Sequence, residues 1–182
     1  MTKFWSKANW SALAKIDQCT PSIAQGDYLP TCLVPIYTPD FGRHDTLWEV
    51  PVERVDLILM TQTCDLAQAR TEHVALCPIT ALGRFQEANP KFRDKRRLEE
   101  LRKGRVEGLH LLASPVEPED NRQSLVVDFK RIISLPFHYV VAHSEELGER
   151  WRLDSPFLEH FSQAFARFFM RVGLPASIPP FK

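Results

Sequence analysis

The segment from Ser155 to Gly173 constrains the fold more than any other stretch of the chain. At about 100° per residue, Phe157, Leu158, Phe161, Phe165, Phe168, Phe169 and Val172 share one face, while Glu159, His160, Gln163, Arg167 and Arg171 lie opposite. Ser155 is placed to cap, Pro156 suits the first helical position, and Gly173 followed by Pro175 stops the run. The spacing predicts a helix over 155–173 whose aromatic face is buried, as core or as a dimer seam. Its polar ridge of His160, Gln163 and Arg167 is a candidate ligand surface.

What that helix covers is read from the apolar runs before it. Gly26 to Tyr37 predicts an extended strand, confined to an edge or a bend by Pro30 and Pro35. Residues 55–61 and 74–80 predict two buried strands, joined by a loop from Gln62 to His73. Further strands are expected at 106–113, at 124–135 and at 137–143. The first twenty residues carry Trp5, Trp10, Leu13 and Ile16, which suit an N-terminal arm or short helix over 1–22.

Residues 84–105 differ in character. Nine Lys or Arg (84, 91, 93, 95, 96, 97, 102, 103, 105) face four acids (87, 94, 99, 100), a local excess of positive charge. Good helix formers from Lys91 to Lys103, with Gly104 as the stop, predict a basic helix inserted between strands. The whole is an α+β chain: a small, strongly bent antiparallel sheet or barrel, interrupted by a basic helix and closed by an aromatic one.

Length and composition bound the function. At 182 residues, with 44% hydrophobic and 25% charged residues, the chain is expected to form one domain with its own core. A formal net charge of +0 excludes a protein that coats nucleic acid by overall charge, and leaves room for a local basic patch. No apolar run reaches the roughly 18 residues of a membrane span, and the first residues lack the pattern of a secretory signal. A cytoplasmic protein without a membrane partner is expected. Its four cysteines, Cys19, Cys32, Cys64 and Cys77, contain no CxxC pair and are expected as thiols.

The order of elements resembles the MazF/PemK toxin family. The matching pieces are Gly26-Asp27, then 54–59, then Cys77-Pro78-Ile79-Thr80, then 124–136, with a terminal helix after them. This resemblance implies an SH3-like barrel and a metal-independent endoribonuclease, with Arg54 and Thr80 in the catalytic positions. A guanidinium and a hydroxyl there would clamp and hydrogen-bond the charge that builds when a ribose 2′-OH attacks phosphorus. The chain departs from the family in having Val55 where it has proline, and in the insertion over 84–105.

Other constellations stand beside that one. In Thr61-Gln62-Thr63-Cys64-Asp65-Leu66, polar side chains crowd a strand end, so Gln62, Thr63, Cys64 and Asp65 are candidate ligand contacts. Alternatively Thr63 or Asp65 caps a turn and Cys64 is a small hydrophobe, or Cys64 is a nucleophile with His73 or His110 as its base. Cys64, His73 and Cys77, with Cys19 or Cys32, match no familiar zinc spacing, and neither metal nor cofactor is expected. On the basic helix Arg93, Lys95, Arg96, Arg97, Arg102, Lys103 and Arg105 are candidate phosphate contacts if they converge on one side, with Arg93, Arg96 and Arg97 foremost, against the plain reading of a solvated helix with a Glu99–Lys103 pair. The expectation is a toxin-like protein contacting RNA or DNA. The alternatives are a non-catalytic interaction module of a bacterial or phage operon, with a protein partner or a second copy held through the last helix, and a hydrolase centred on Cys64.

Overall fold

A computed structural model describes residues 5–9, 23–39, 41, 49–68, 70–116 and 120–170. Its centre is a pair of strands, β2 being the edge (Tyr28–Pro35) and β3 (Val52–Leu59) lying beside β4 (His73–Ala81). Side chains in β3 and β4 alternate with period two, and both faces are covered. Leu57, Leu59, Val74 and Leu76 enter one cluster, whereas Ile58, Cys77 and Ile79 enter another. That explains why these strands read as nearly continuous apolar runs.

The chain is α+β, with an open six-stranded antiparallel sheet in the order β2-β3-β4-β6-β5, and with β7 also paired to β4. Here β5 is Leu109–Leu112, β6 is Leu125–Asp128 and β7 is Ile133–Pro136. The expected strand over 124–135 is thus two. Ile79 pairs Val127 and Leu76 pairs Ile133, so the register steps by three residues and the chain turns out between β6 and β7. The expected strand over 106–113 is likewise shorter, because Gly108 at φ +76° turns the backbone just before β5.

The expected strand at 137–143 is a helix, α4 (Phe137–Leu147), which follows α1 (Thr63–Ala67), α2 (Leu82–Ala88) and α3 (Lys95–Arg102). Phe137, Val140, Val141, Ser144 and Leu147 share a helical face, and burial of Val140 and Ser144 decides in favour of that period. The edge strand gains from it: the Leu33 N–H donates to the Tyr139 hydroxyl at 2.7 Å, and the His143 ring bonds the Pro30 carbonyl at 2.8 Å. These side chains occupy polar groups that an exposed edge would offer to another strand. Pro30 and Thr31, at φ 56°, fall in a register shift between Leu29 and Cys32, where proline's missing donor does no harm.

Two further differences follow from long-range pairing. Trp5–Asn9 is a strand, β1, rather than part of a helix, because it pairs antiparallel with β8 (Glu149–Leu153), which local pattern does not announce. The remainder of the expected arm lies outside the described residues. The loop from Gln62 to His73 contains α1, a single short turn of helix.

The basic helix is broken in two. A 3-10 turn over Pro90–Arg93 precedes α3, whose N-terminus is capped by the Asp94 carboxylate accepting from Arg97 N at 2.9 Å. Phe92 and Leu101 are buried beneath it with Val106 and Val126. The aromatic helix is α5 (Phe157–Phe169). Its first cap is Pro156 rather than Ser155, with the Asp154 carbonyl accepting from the Phe157 and Leu158 amides, and Arg171 to Pro175 lie outside the described residues. Phe157, Leu158, Phe161, Phe165 and Phe168 of its apolar face pack on the sheet as expected, while Phe169 is exposed and Val172 lies outside the described residues. Phe161 is fully buried, and Phe129 stands at 5.6 Å from it and 5.4 Å from Phe165, ring centre to ring centre. Among the described residues, no helix is long and apolar enough to cross a membrane.

Candidate functional site

The polar ridge of α5 faces a cleft of about 450 Å³, whose other wall is the end of α3 and the turn into β5. His160, Gln163 and Arg167 line one side, spaced three and then four residues along the helix. Arg102 and Lys103 stand on the other, at the last turn of α3 and its cap. The floor is apolar, with Phe129, Phe168 and Leu109 among its members.

Gly108 forms part of the wall and shows why the turn is tight. A Cβ at this position would lie 2.6 Å from Lys130 Cε and 3.0 Å from the Phe168 ring. Its left-handed φ suits glycine independently of space.

His110 projects from β5 into the same cleft. Its ring stacks on Phe129 at 5.9 Å and tilts against Phe161 at 5.6 Å. Burial pulls its pKa down from 6.5 to about 4, with the charges of His160 and then Arg167 acting in the same direction. His110 is therefore a neutral imidazole near pH 7, held by aromatic rings on a strand and close to a second imidazole on a helix.

The positive charge is partly answered from within. Glu99 accepts from Arg102 through both oxygens at 2.7 Å and meets Lys103 at 3.2 Å, and these hydrogen bonds hold its carboxyl down at about 2. Glu107 also lines the cleft. Arg167 faces it from α5, its Nε 3.4 Å from the Gln163 carbonyl.

The structure brings together two groups that are separate in sequence: the α5 ridge and the end of the basic helix. Of the basic residues singled out from sequence, Arg102, Lys103 and Arg167 line the cleft, while Arg93, Arg96 and Arg97 do not. Arg93, Arg96 and Arg97 are exposed at the beginning of the segment, and Arg97 lies over the Phe92 ring at 5.5 Å. The expected Glu99–Lys103 pair is present.

Arg54 and Thr80 are placed apart from this cleft. Arg54 is exposed on β3 opposite Leu33, near enough to Tyr139 for its charge to act on the phenol, while Thr80 is half-buried on β4 opposite Val126. The β3–β4 ladder runs from Leu57–Pro78 to Leu59–Leu76, short of both residues.

In the string at the end of β3, the Thr63 hydroxyl accepts from the Gln25 amide at 3.2 Å, which ties α1 to the turn before β2. Gln62 is exposed, Asp65 is half-buried, and the exposed Cys64 thiol donates to Gln62 Oε1 at 3.6 Å. His73 lines a different concavity, with His138, and His110 belongs to the cleft. Cys32 and Cys77 are buried, Cys19 lies outside the described residues, and no three His, Cys, Asp or Glu are grouped to hold a metal among the described residues.

Sequence reasoning counted Arg102 and Lys103 among the candidate phosphate contacts without placing them opposite α5, and named His110 only as a base for Cys64. A signal was present for His110, a lone polar residue in an otherwise apolar strand. Family models, curated proteins and solved structures were compared with the chain, and none matches it.

Proposed function

We propose that the protein binds single-stranded RNA, seating a phosphodiester and its unpaired base in the cleft between α3 and α5. The observation that carries this reading is the pairing of a cationic rim, Lys103 with Arg102 and Arg167, with an aromatic floor, Phe129 and Phe168, in a space of about 450 Å³. A phosphate seeks the first and a base the second. A base held in such a space must be unpaired, which favours a single strand over a duplex. On the same reading the bent sheet is an opened SH3-like barrel. This reading does not use Arg54 and Thr80.

Fluorescence anisotropy with a short labelled single-stranded RNA over a salt series tests the proposal. Arg167→Glu is expected to weaken binding at least about tenfold and to reduce the salt slope by about one contact. Arg96→Glu, away from the cleft, is expected to change it less. An equal effect of the two reversals, or no binding by the parent, would overturn the reading.

A further inference from the structure

The turn that leaves β6 brings two neighbouring residues to the cleft in different ways. The Phe129 amide donates to the Gly108 carbonyl at 2.8 Å, and the Phe129 ring forms part of the cleft floor. The Lys130 amide donates to the Asp128 carboxylate at 3.0 Å, and the Lys130 side chain stays at the surface. Its stem fills the space that Gly108 leaves open. Lys130 Cε and Cγ stand 2.6 and 2.8 Å from the point that a Cβ at 108 would take, and Phe168 Cε2 stands 3.0 Å from the same point. Since Gly108 and Phe168 both line the cleft, Lys130 lies across its lip.

We propose that Lys130 binds a second phosphate, so that the site takes the nucleoside 3′,5′-bisphosphate unit of a single-stranded RNA. This rests on the reading of the cleft as the seat of an RNA phosphate and its base.

Charge and packing support the assignment. Among the described residues the Lys130 ammonium makes no ion pair, whereas Arg131 beside it meets Glu53 at 3.5 Å. The lysine charge is therefore left for an anion from outside. Packing of its stem on Gly108 and on the edge of Phe168 keeps the apolar carbons covered and the ammonium in water, and reduces the side-chain freedom lost when a phosphate arrives. Arg102, Lys103 and Arg167 line the cleft itself. A strand whose base lies on Phe129 and Phe168 thus passes from these cations to Lys130 at the lip within one nucleotide. Two phosphates joined through one nucleoside reinforce each other, because the first to bind raises the effective concentration of the second. The same geometry gives Gly108 a role: any side chain there would displace the lysine stem.

The test is displacement of a short labelled single-stranded RNA at low salt, read by anisotropy. The competitors are adenosine 3′,5′-bisphosphate, adenosine 3′-monophosphate and adenosine 5′-monophosphate. In the parent, the bisphosphate is expected to displace the RNA about fivefold better than either monophosphate. In Lys130→Met, which keeps the stem and removes the charge, that advantage should fall below about twofold, and Lys130→Arg should restore it. Arg131→Met, which removes the same charge one residue on, should leave the advantage standing. RNA bound by the parent with no advantage for the bisphosphate would overturn the second phosphate site and leave the binding reading intact. An advantage kept in Lys130→Met, or lost equally in Arg131→Met, would overturn the assignment to Lys130. A parent that does not bind the RNA would remove both readings.

Discussion

Arg150 Nε donates to Asp27 Oδ2 at 2.9 Å, with both side chains buried. The pair joins the turn before β2 to the β8 strand far along the chain. Arg152 meets the same carboxylate from its other side, and the Ala24 amide donates to Oδ2 at 3.0 Å. So many donors offset the desolvation of the carboxylate, but they also make the site unforgiving of change. Asp27→Ala would leave a buried guanidinium facing an apolar gap, at a cost of about 3–5 kcal/mol. The expected outcome in chemical denaturation is a midpoint shifted to lower denaturant, with a melting temperature lower by roughly 10 °C. A fall of less than about 1 kcal/mol would mean that the cluster is not a main tie between these strands.

His110 makes stability depend on pH in a defined window. Its imidazole takes up a proton near pH 6.5 in the unfolded chain and near 4 in the folded one, so between these values the unfolded state holds more protons. Its contribution is full above pH 6.5 and declines as pH falls toward 4, by about 3 kcal/mol. Groups around the cleft that share the field are His160, Arg167, Arg102, Lys103 and Glu107. Denaturation curves at several pH values for the parent and for His110→Gln separate this slope from that of the carboxylates. Parallel slopes in the two proteins would refute it.

Glu99 restrains two cations that the RNA reading places at the cleft rim. Glu99→Gln removes the carboxylate that holds Arg102 and Lys103, and releases their charge toward the ligand. Binding of single-stranded RNA at low salt is expected to tighten about threefold, with a steeper salt dependence. Weaker binding would show that Glu99 positions these side chains for the ligand.

The thiols should separate by exposure. Burial, aided by the charge of Asp56, pushes Cys32 up to about 12, and burial with Asp128 does the same for Cys77. Cys64 is exposed. Timed alkylation at pH 7.5, followed by peptide mapping, should label Cys64 in the folded protein at least about 100-fold faster than Cys32 and Cys77, since the attacking species is the thiolate. Denaturant should bring the three rates together. Rapid labelling of Cys77 in the native protein would place that strand closer to solvent than its complete burial allows.

Much of the site was readable in pieces. His160, Gln163 and Arg167 came directly from helical spacing, because the face opposite a phenylalanine stripe has to point away from the core. The cleft they line was not readable, since its other wall lies more than fifty residues earlier in the chain and enters it through the turn at Gly108. Basic residues were visible as a group, but Arg102 and Lys103 reach the cleft because they stand at the C-terminal end of α3, where the chain turns into β5, while Arg96 and Arg97 in its first turn and Arg93 before it stand elsewhere.

Local periodicity, then, carried the buried strands β3 and β4, the aromatic α5 and the Gly104 stop of the basic helix, because each depends on which side chains share a face over a few residues. It failed where one stretch satisfies two periods or none. The 137–143 run suits a strand and a helix alike, and packing of Val140 and Ser144 chose the helix. β1 and β8 have no signature of their own and exist through each other and through Asp27. Pairing of distant strands, the buried charge cluster and the meeting of α3 with α5 are tertiary decisions, since the free energy that fixes them arises between residues that no local window contains.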